Sequence, residues 1–248
     1  MKVNDILEFL DASFPISSAC DFDNVGLLIG DKDAEVSNAL IALDCTQDTV
    51  KEAIKANCQL IITHHPVIFS PLKQILSGSI VHNLILNNIS VISMHTNLDV
   101  SLGGVNSCLC NAIELKNVNF YTACDGYILQ TGSVSPVSAE EFAWHLKNKL
   151  KTVVKYVDGG KPIEKVLVCS GSGGDFIADA INGGFDALVT ADIKHHHFLE
   201  AFDNGVSLFD CGHFNTEDII IEPLKSVLVK NFKNVNFATT HKTEIKYV

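Results

Sequence analysis

Gln59-Leu60-Ile61-Ile62-Thr63-His64-His65-Pro66 is the stretch that decides the fold class. Its apolar, β-branched run reads as a short buried strand. Pro66 ends it, because proline has no N–H for a sheet ladder and restricts the residue before it. Neighbours on a regular strand point to opposite faces, so His64 and His65 reach one site only where the strand stops and the chain bends. Upstream, residues 48–57 have helical spacing. Downstream, a helix over 81–87 leads into a strand over 90–94, which closes in His95-Thr96-Asn97-Leu98-Asp99. A third apolar run, 206–209, precedes Gly212-His213-Phe214-Asn215-Thr216-Glu217. Strand and helix alternate, which predicts an α/β protein with mostly parallel or mixed sheets covered by helices. Such sheets gather their chemistry beyond the carboxyl ends of the strands, where all three polar segments begin.

The rest of the chain extends this pattern. Residues 3–12 predict an opening helix, 21–30 an acidic loop, and 39–44 a strand. After Gly126 strands over 127–134 and 152–157 flank a helix over 139–150, and 165–170 and 186–190 resume the strand–helix alternation. Two α/β domains are expected: residues 1–124 with 206–248, carrying most of the candidate ligands, and residues 125–205. A faint repeat relates Glu52-Ala53-Ile54 through His64-His65 to Asp179-Ala180-Ile181 through Ala191-Asp192, at constant offset. If it is real, Asp192 occupies a strand end equivalent to that of the histidine pair.

Composition bounds the function. The 248 residues carry a net charge of −11, and all 18 basic residues are lysine. Without arginine the chain has no planar fork for clamping phosphates or guanine edges. An acidic surface also argues against nucleic acid, whose affinity comes largely from neutralising phosphates. No apolar run is long enough for a membrane span and the N-terminus lacks a signal-peptide pattern, so a cytoplasmic protein with reduced cysteines is expected. Cys108 and Cys110 form a C-x-C pair, a weak metal signal read here as packing.

Three histidines and two carboxylates in the polar segments exceed what one metal ion needs and suit two bridged ions. His64 and His65 would serve one ion each. Asp99 binds or bridges, or else acts as a turn carboxylate. His95 is either a further ligand or an orienting partner. His213 and Glu217, at i and i+4, share a helix face if the helix has begun by then, but Pro223 requires it to kink or to start later. In His195-His196-His197, His196 is expected to line the site with Asp192. Gly171-Ser172-Gly173-Gly174-Asp175 is a tight turn with a weak anion-cradle signal.

Taken together, Asp23-Asn24-Val25-Gly26-Leu27, Leu43-Asp44-Cys45-Thr46, the His64-His65-Pro66 and His95–Asp99 segments, Gly171–Phe176, Thr190–His196 and Gly212–Glu217 resemble the NGG-interacting-factor-like family. Its bacterial members are often named GTP cyclohydrolase 1 type 2 homologues. The resemblance runs over nearly the whole chain, in its short form. It departs at Ala191, where relatives usually have Gly, and at Phe22, where they commonly carry Trp. It implies a cytoplasmic homohexamer of two-domain subunits with a dinuclear metal centre between the domains. His64, His65, Asp99, His213 and Glu217 would hold two divalent ions (Zn, Fe, Mn, Co or Ni), with Glu217 as the bridge. The implied activity is a metal-dependent hydrolase opening a purine nucleotide through a metal-bridging hydroxide, with Glu217, His95 and His196 in catalytic roles. The alternatives are a metal-dependent phosphoesterase and a non-catalytic hexamer that binds metal or a partner.

Overall fold

A computed structural model describes residues 1–246, which form two compact units. The first comprises Met1–Ser101 and the chain from Ile220 onward; the second is Leu102–Ile219. The first unit holds α1 (Val3–Ser13), β1 (Gly26–Ile29), β2 (Asn38–Ala42), α2 (Gln47–Lys55), β3 (Leu60–Thr63), α3 (Ile80–Leu86), β4 (Ser90–Ser93) and α4 (Thr96–Val100). The second holds α5 (Val105–Ala112), β5 (Lys116–Thr122), β6 (Ile128–Val137), α6 (Ala139–Leu150), β7 (Lys155–Val157), β8 (Ile163–Ser172), α7 (Ile177–Asn182), β9 (Ala187–Ala191), α8 (His195–Asp203), β10 (Ser207–Asp210) and α9 (His213–Glu217). The chain then returns to the first unit with α10 (Ile221–Asn231) and β11 (Asn236–Thr239).

The first sheet has the order β1-β4-β3-β2-β11. Strands β4, β3, β2 and β11 are parallel, and β1 runs antiparallel on the edge. Its central strands are apolar on both faces. Leu40, Ile61 and Val91 pack with Val50 and Ala53 of α2 and Leu84 of α3, while Ile41, Leu60 and Ile62 are fully buried on the other side. Continuous apolar strands of this kind belong to parallel sheets covered on both faces. Thr46 caps α2 by accepting from the Thr49 N–H, and Ser79 caps α3 in the same way through His82, so each helix begins at a fixed residue.

The second sheet is mixed, in the order β5-β6-β8-β9-β10-β7, with β8, β9 and β10 parallel. Alternation divides its two faces. Val166, Val168, Val189 and Phe209 pack with Phe142 and Leu146 of α6, whereas Leu167, Leu188 and Leu208 pack with Ile177 and Ala180 of α7 and Ala201 of α8. A capping box at Ser138 and Glu141 starts α6.

The α/β class with helix-covered sheets is observed as read from the sequence. The acidic loop expected over 21–30 contains strand β1, paired with β4. Domain limits were expected at 124 and 206, whereas the compact units meet at 101/102 and 219/220. The reason is local: β5 pairs with β6 and β10 with β9, so both belong to the second sheet. The repeat is visible as β2–α2–β3 and β8–α7–β9, with α2 matched by a 3-10 turn at Gly174–Phe176 continuing into α7.

Candidate metal centre

Sheet register assembles the first unit's histidines. Ala42 is opposite Thr63, and Thr63 opposite Ser93, so the residues after β2, β3 and β4 emerge side by side at the carboxyl edge. The His64 N–H bonds to the Ala42 carbonyl, the His65 N–H to Leu43, and the Met94 N–H to Thr63. Strand pairing thus carries on one residue past each strand before the chains diverge at Asp44, Pro66 and His95. One ring nitrogen from each of His64, His65 and His95 lies within 4.8 Å of the others. The rings of His64 and His65 are tilted against each other with centroids 5.0 Å apart, and both meet His95 in T-shaped contacts at 5.1 and 5.6 Å.

Each of these rings is held by its Nδ1. His64 Nδ1 lies 2.9 Å from the Met94 carbonyl, His65 Nδ1 2.7 Å from Asp44 Oδ1, and His95 Nδ1 2.9 Å from Asp23 Oδ1. A carbonyl or ionised carboxylate only accepts, so Nδ1 carries the proton and Nε2 presents its lone pair. Asp23 is fixed in turn: its Oδ2 accepts from the Thr96 N–H at 3.0 Å and the Thr96 hydroxyl at 2.5 Å. Burial pushes its pKa up, yet the bonds from His95 and Thr96 outweigh that and hold the carboxyl well below the usual range. Asp99, in α4, is buried with Oδ1 3.6 Å from His64 Nε2. That separation exceeds a hydrogen bond and lets two ligands face one position.

The second unit repeats the arrangement at its own sheet edge. Asp192 follows β9 and His213 follows β10, which are parallel neighbours. His213 Nδ1 lies 2.7 Å from Asp192 Oδ2, and its Nε2 lies 3.0 Å from Glu217 Oε2 across one turn of α9. Asp192 has a φ of 54°, a left-handed conformation that aspartate adopts more readily than most residues. Glu217 is buried, and burial lowers the His213 pKa, but Glu217 and then Asp192 more than reverse this and raise it to about 9. The question posed by Pro223 is answered by two helices. A 3-10 turn at Asp218–Ile220 follows α9, and Pro223 sits in the first turn of α10, where its missing N–H costs nothing.

The glycine-rich loop is a packing device behind Glu217. Gly171 has φ 59°, and a Cβ there would lie 2.1 Å from Glu217 Oε1. The Gly171 N–H donates to Thr216 Oγ1, and its carbonyl accepts from Thr190 Oγ1, each at 3.0 Å. A Cβ on Gly173 would strike Thr190, and one on Gly174 would strike His197. His196 lies in the first turn of α8, exposed to solvent, its ring centroid 4.2 Å from that of His197. Cys108 and Cys110 lie in α5, where burial raises their thiols to about 11 and about 12. They are neutral packing groups at ordinary pH.

His64 and His65 follow β3 and His213 follows β10, whereas Asp99 lies within α4 and Glu217 within α9. The sequence reading gives Asp23 and Asp44 no role although both stand in the quoted motifs. The only signal for Asp44 is its position two residues past β2, level with His65 in a parallel register. Asp23 approaches His95 from 72 residues away, and nothing local announces it.

A family model described as Duf34/NIF3 (NGG1p interacting factor 3) matches residues 1–245. A Clostridium acetobutylicum protein named GTP cyclohydrolase 1 type 2 homolog is 35% identical over 229 residues, covering 88% of this chain and 85% of its own. A Campylobacter jejuni protein of the same name is 34% identical over 241 residues, covering 95% and 93%. Among solved structures, Staphylococcus aureus hypothetical protein SA1388 matches with TM-score 0.92 and 31% identity, over 100% of this chain and 99% of that one. Reduced HcgD from Methanocaldococcus jannaschii matches with TM-score 0.84 and 27% identity, over 96% and 97%. With matched motifs, fold and full-length similarity in agreement, the chain belongs to the Duf34/NIF3 family.

Proposed function

We propose that the protein is a dinuclear metal-dependent hydrolase acting on a purine nucleotide, with His64, His65, Asp99, His213 and Glu217 holding two divalent ions. The observation that carries this reading is the common setting of four histidines. His64, His65, His95 and His213 each have Nδ1 bound to an oxygen acceptor, which leaves Nε2 directed away from that anchor. Metal-ligating histidines are oriented in this way. Nitrogen and carboxylate donors without thiolates fit borderline divalent ions such as Zn, Mn, Fe or Co. When bound, such a pair supplies Lewis acidity and lowers the pKa of water to near neutrality.

The chain's own groups have the remaining roles. Glu217, whose carboxylate occupies the space a side chain at Gly171 would fill, would be the carboxylate shared by the two ions. His95, anchored by Asp23, exchanges protons at Nε2, and His196 is the second proton carrier. The names of the Clostridium and Campylobacter relatives support the nucleotide. With no arginine in the chain, the phosphates fall to lysines, backbone N–H groups and the metals. The test is formate release from GTP by protein loaded in turn with Zn, Mn, Fe or Co, with Glu217→Gln as control. Release that follows loading and disappears in the variant is expected. Fully loaded protein that releases none with any metal overturns the reading for GTP.

A further inference from the structure

Beside the first unit's histidines stand two phenylalanines that the chemistry above does not use. Phe22 is 67% exposed and Phe69 is 51% exposed. Their rings are neighbours, with centroids 6.3 Å apart and planes tilted by 47°. Phe69 in turn meets His95 edge-on at 6.4 Å. The three rings form a continuous aromatic row running outward from the cluster of His64, His65 and His95.

Polar contacts anchor the backbone on both sides of Phe22 and immediately before Phe69. Asn24 Nδ2 donates to the Ile68 carbonyl at 2.6 Å, tying the segment that carries Phe69 to the one that carries Phe22. Asp23, next to Phe22, is bound to His95 and Thr96, and the Cys20 N–H donates to Thr96 Oγ1 at 3.0 Å. Rings carried on backbone anchored in this way lose less entropy when they meet a ligand than rings on a free loop. Their faces carry no hydrogen-bonding group and no net charge, which suits stacking against a flat, polarisable ring and not the binding of a phosphate.

We infer that Phe22 and Phe69 form a stacking platform that holds the planar heterocycle of the substrate against the His95 side of the site. They are positioning residues that select for the ring. The inference rests on the hydrolase reading above, since it takes the substrate's reacting ring to lie at the histidine cluster. It also accounts for selectivity in a chain without arginine: the ring is chosen by stacking, while the charged end is left to groups of low selectivity.

The test compares zinc-loaded wild type with Phe22→Leu and Phe69→Leu, and uses Phe22→Trp as the variant that retains a ring. Binding of guanosine 5′-monophosphate and of ribose 5-phosphate is measured by calorimetry, with zinc content and sedimentation on the same samples. Wild type is expected to prefer the nucleotide at least about tenfold. Each leucine variant should weaken nucleotide binding by about 5- to 100-fold, the range that base–aromatic stacking supplies, and leave ribose 5-phosphate unchanged. Phe22→Trp should bind the nucleotide at least as well as wild type. Equal binding of both probes by wild type, or equal losses for both in the leucine variants, overturns the platform. A smaller assembly in the leucine variants also overturns it, because the two rings would then be covered by a second copy of the chain. Full zinc content with no ring preference sinks the platform alone, whereas wild type that retains no zinc sinks the underlying metal reading.

Discussion

Asp44 Oδ1 lies 2.7 Å from His65 Nδ1, each residue two positions past the end of adjacent parallel strands whose register brings them level. The carboxylate sets the ring's tautomer, strengthens Nε2 as a donor and stops rotation about the side chain. The His95–Asp23 and His213–Asp192 pairs repeat the same relationship.

Asp44→Ala should therefore leave the fold intact and weaken metal binding by about 10- to 100-fold, the usual consequence of losing such a partner. Asp44 is about 40% exposed at its side chain, so its removal leaves no buried charge behind. Competition with a chromophoric chelator measures the change, and unaltered affinity would show that Asp44 does not orient the ring.

Metal affinity should rise with pH. The raised His213 pKa of about 9 means that metal-free protein near neutrality carries a proton on this ring. An incoming cation must displace it, so apparent affinity should increase about tenfold per pH unit and level off above about pH 9. Stability of the metal-free protein should move the other way. The folded pKa lies above the unfolded value of about 6.5, so the ring's contribution is whole below about pH 6.5 and is lost as pH climbs through about 9. Calorimetric titration in buffers of different ionisation enthalpy counts the released proton, and thermal melts across the same range check the stability.

Gly171→Ala tests the packing behind Glu217. The new Cβ would have to displace the Glu217 carboxylate while the backbone holds a φ of 59°. Strain of this kind costs about 1–3 kcal/mol. Both the melting temperature and bound metal should fall; a loss of stability with full metal content would separate Gly171 from the site.

Cys108→Ser and Cys110→Ser should bind as much metal as wild type, because burial keeps both thiols protonated. The Cys110 change should cost about 1–3 kcal/mol for placing a hydroxyl at a fully buried position. Metal analysis and chemical denaturation read the two effects separately, and metal loss would assign the pair a ligand role.

What the sequence made legible follows from physics that acts locally. Short apolar runs ending in His64-His65-Pro66 and His95–Asp99 announce buried strands and their polar ends, so the fold class and these site residues could be read together. The i, i+4 spacing of His213 and Glu217 was equally plain, and α9 realises it. The partners of the histidines were hidden, because Asp23 and Asp44 meet them only through long-range pairing. β1 is hidden in the sequence because it is four residues long and sits at the end of an acidic, loop-like segment, bounded by Gly26 and Gly30; both have positive φ, and at Gly30 a side chain would strike Ser90. β5 escaped because nearly all its residues are exposed, so one buried face never imposed an alternating pattern.

The most direct measurement is metal stoichiometry: elemental analysis of wild type and Glu217→Gln after saturation with zinc and removal of free ion. Two zinc ions per chain in wild type, falling to one or none in the variant, is the expected result. Wild type that retains no zinc, or a variant that retains both ions, would contradict a dinuclear centre bridged by Glu217.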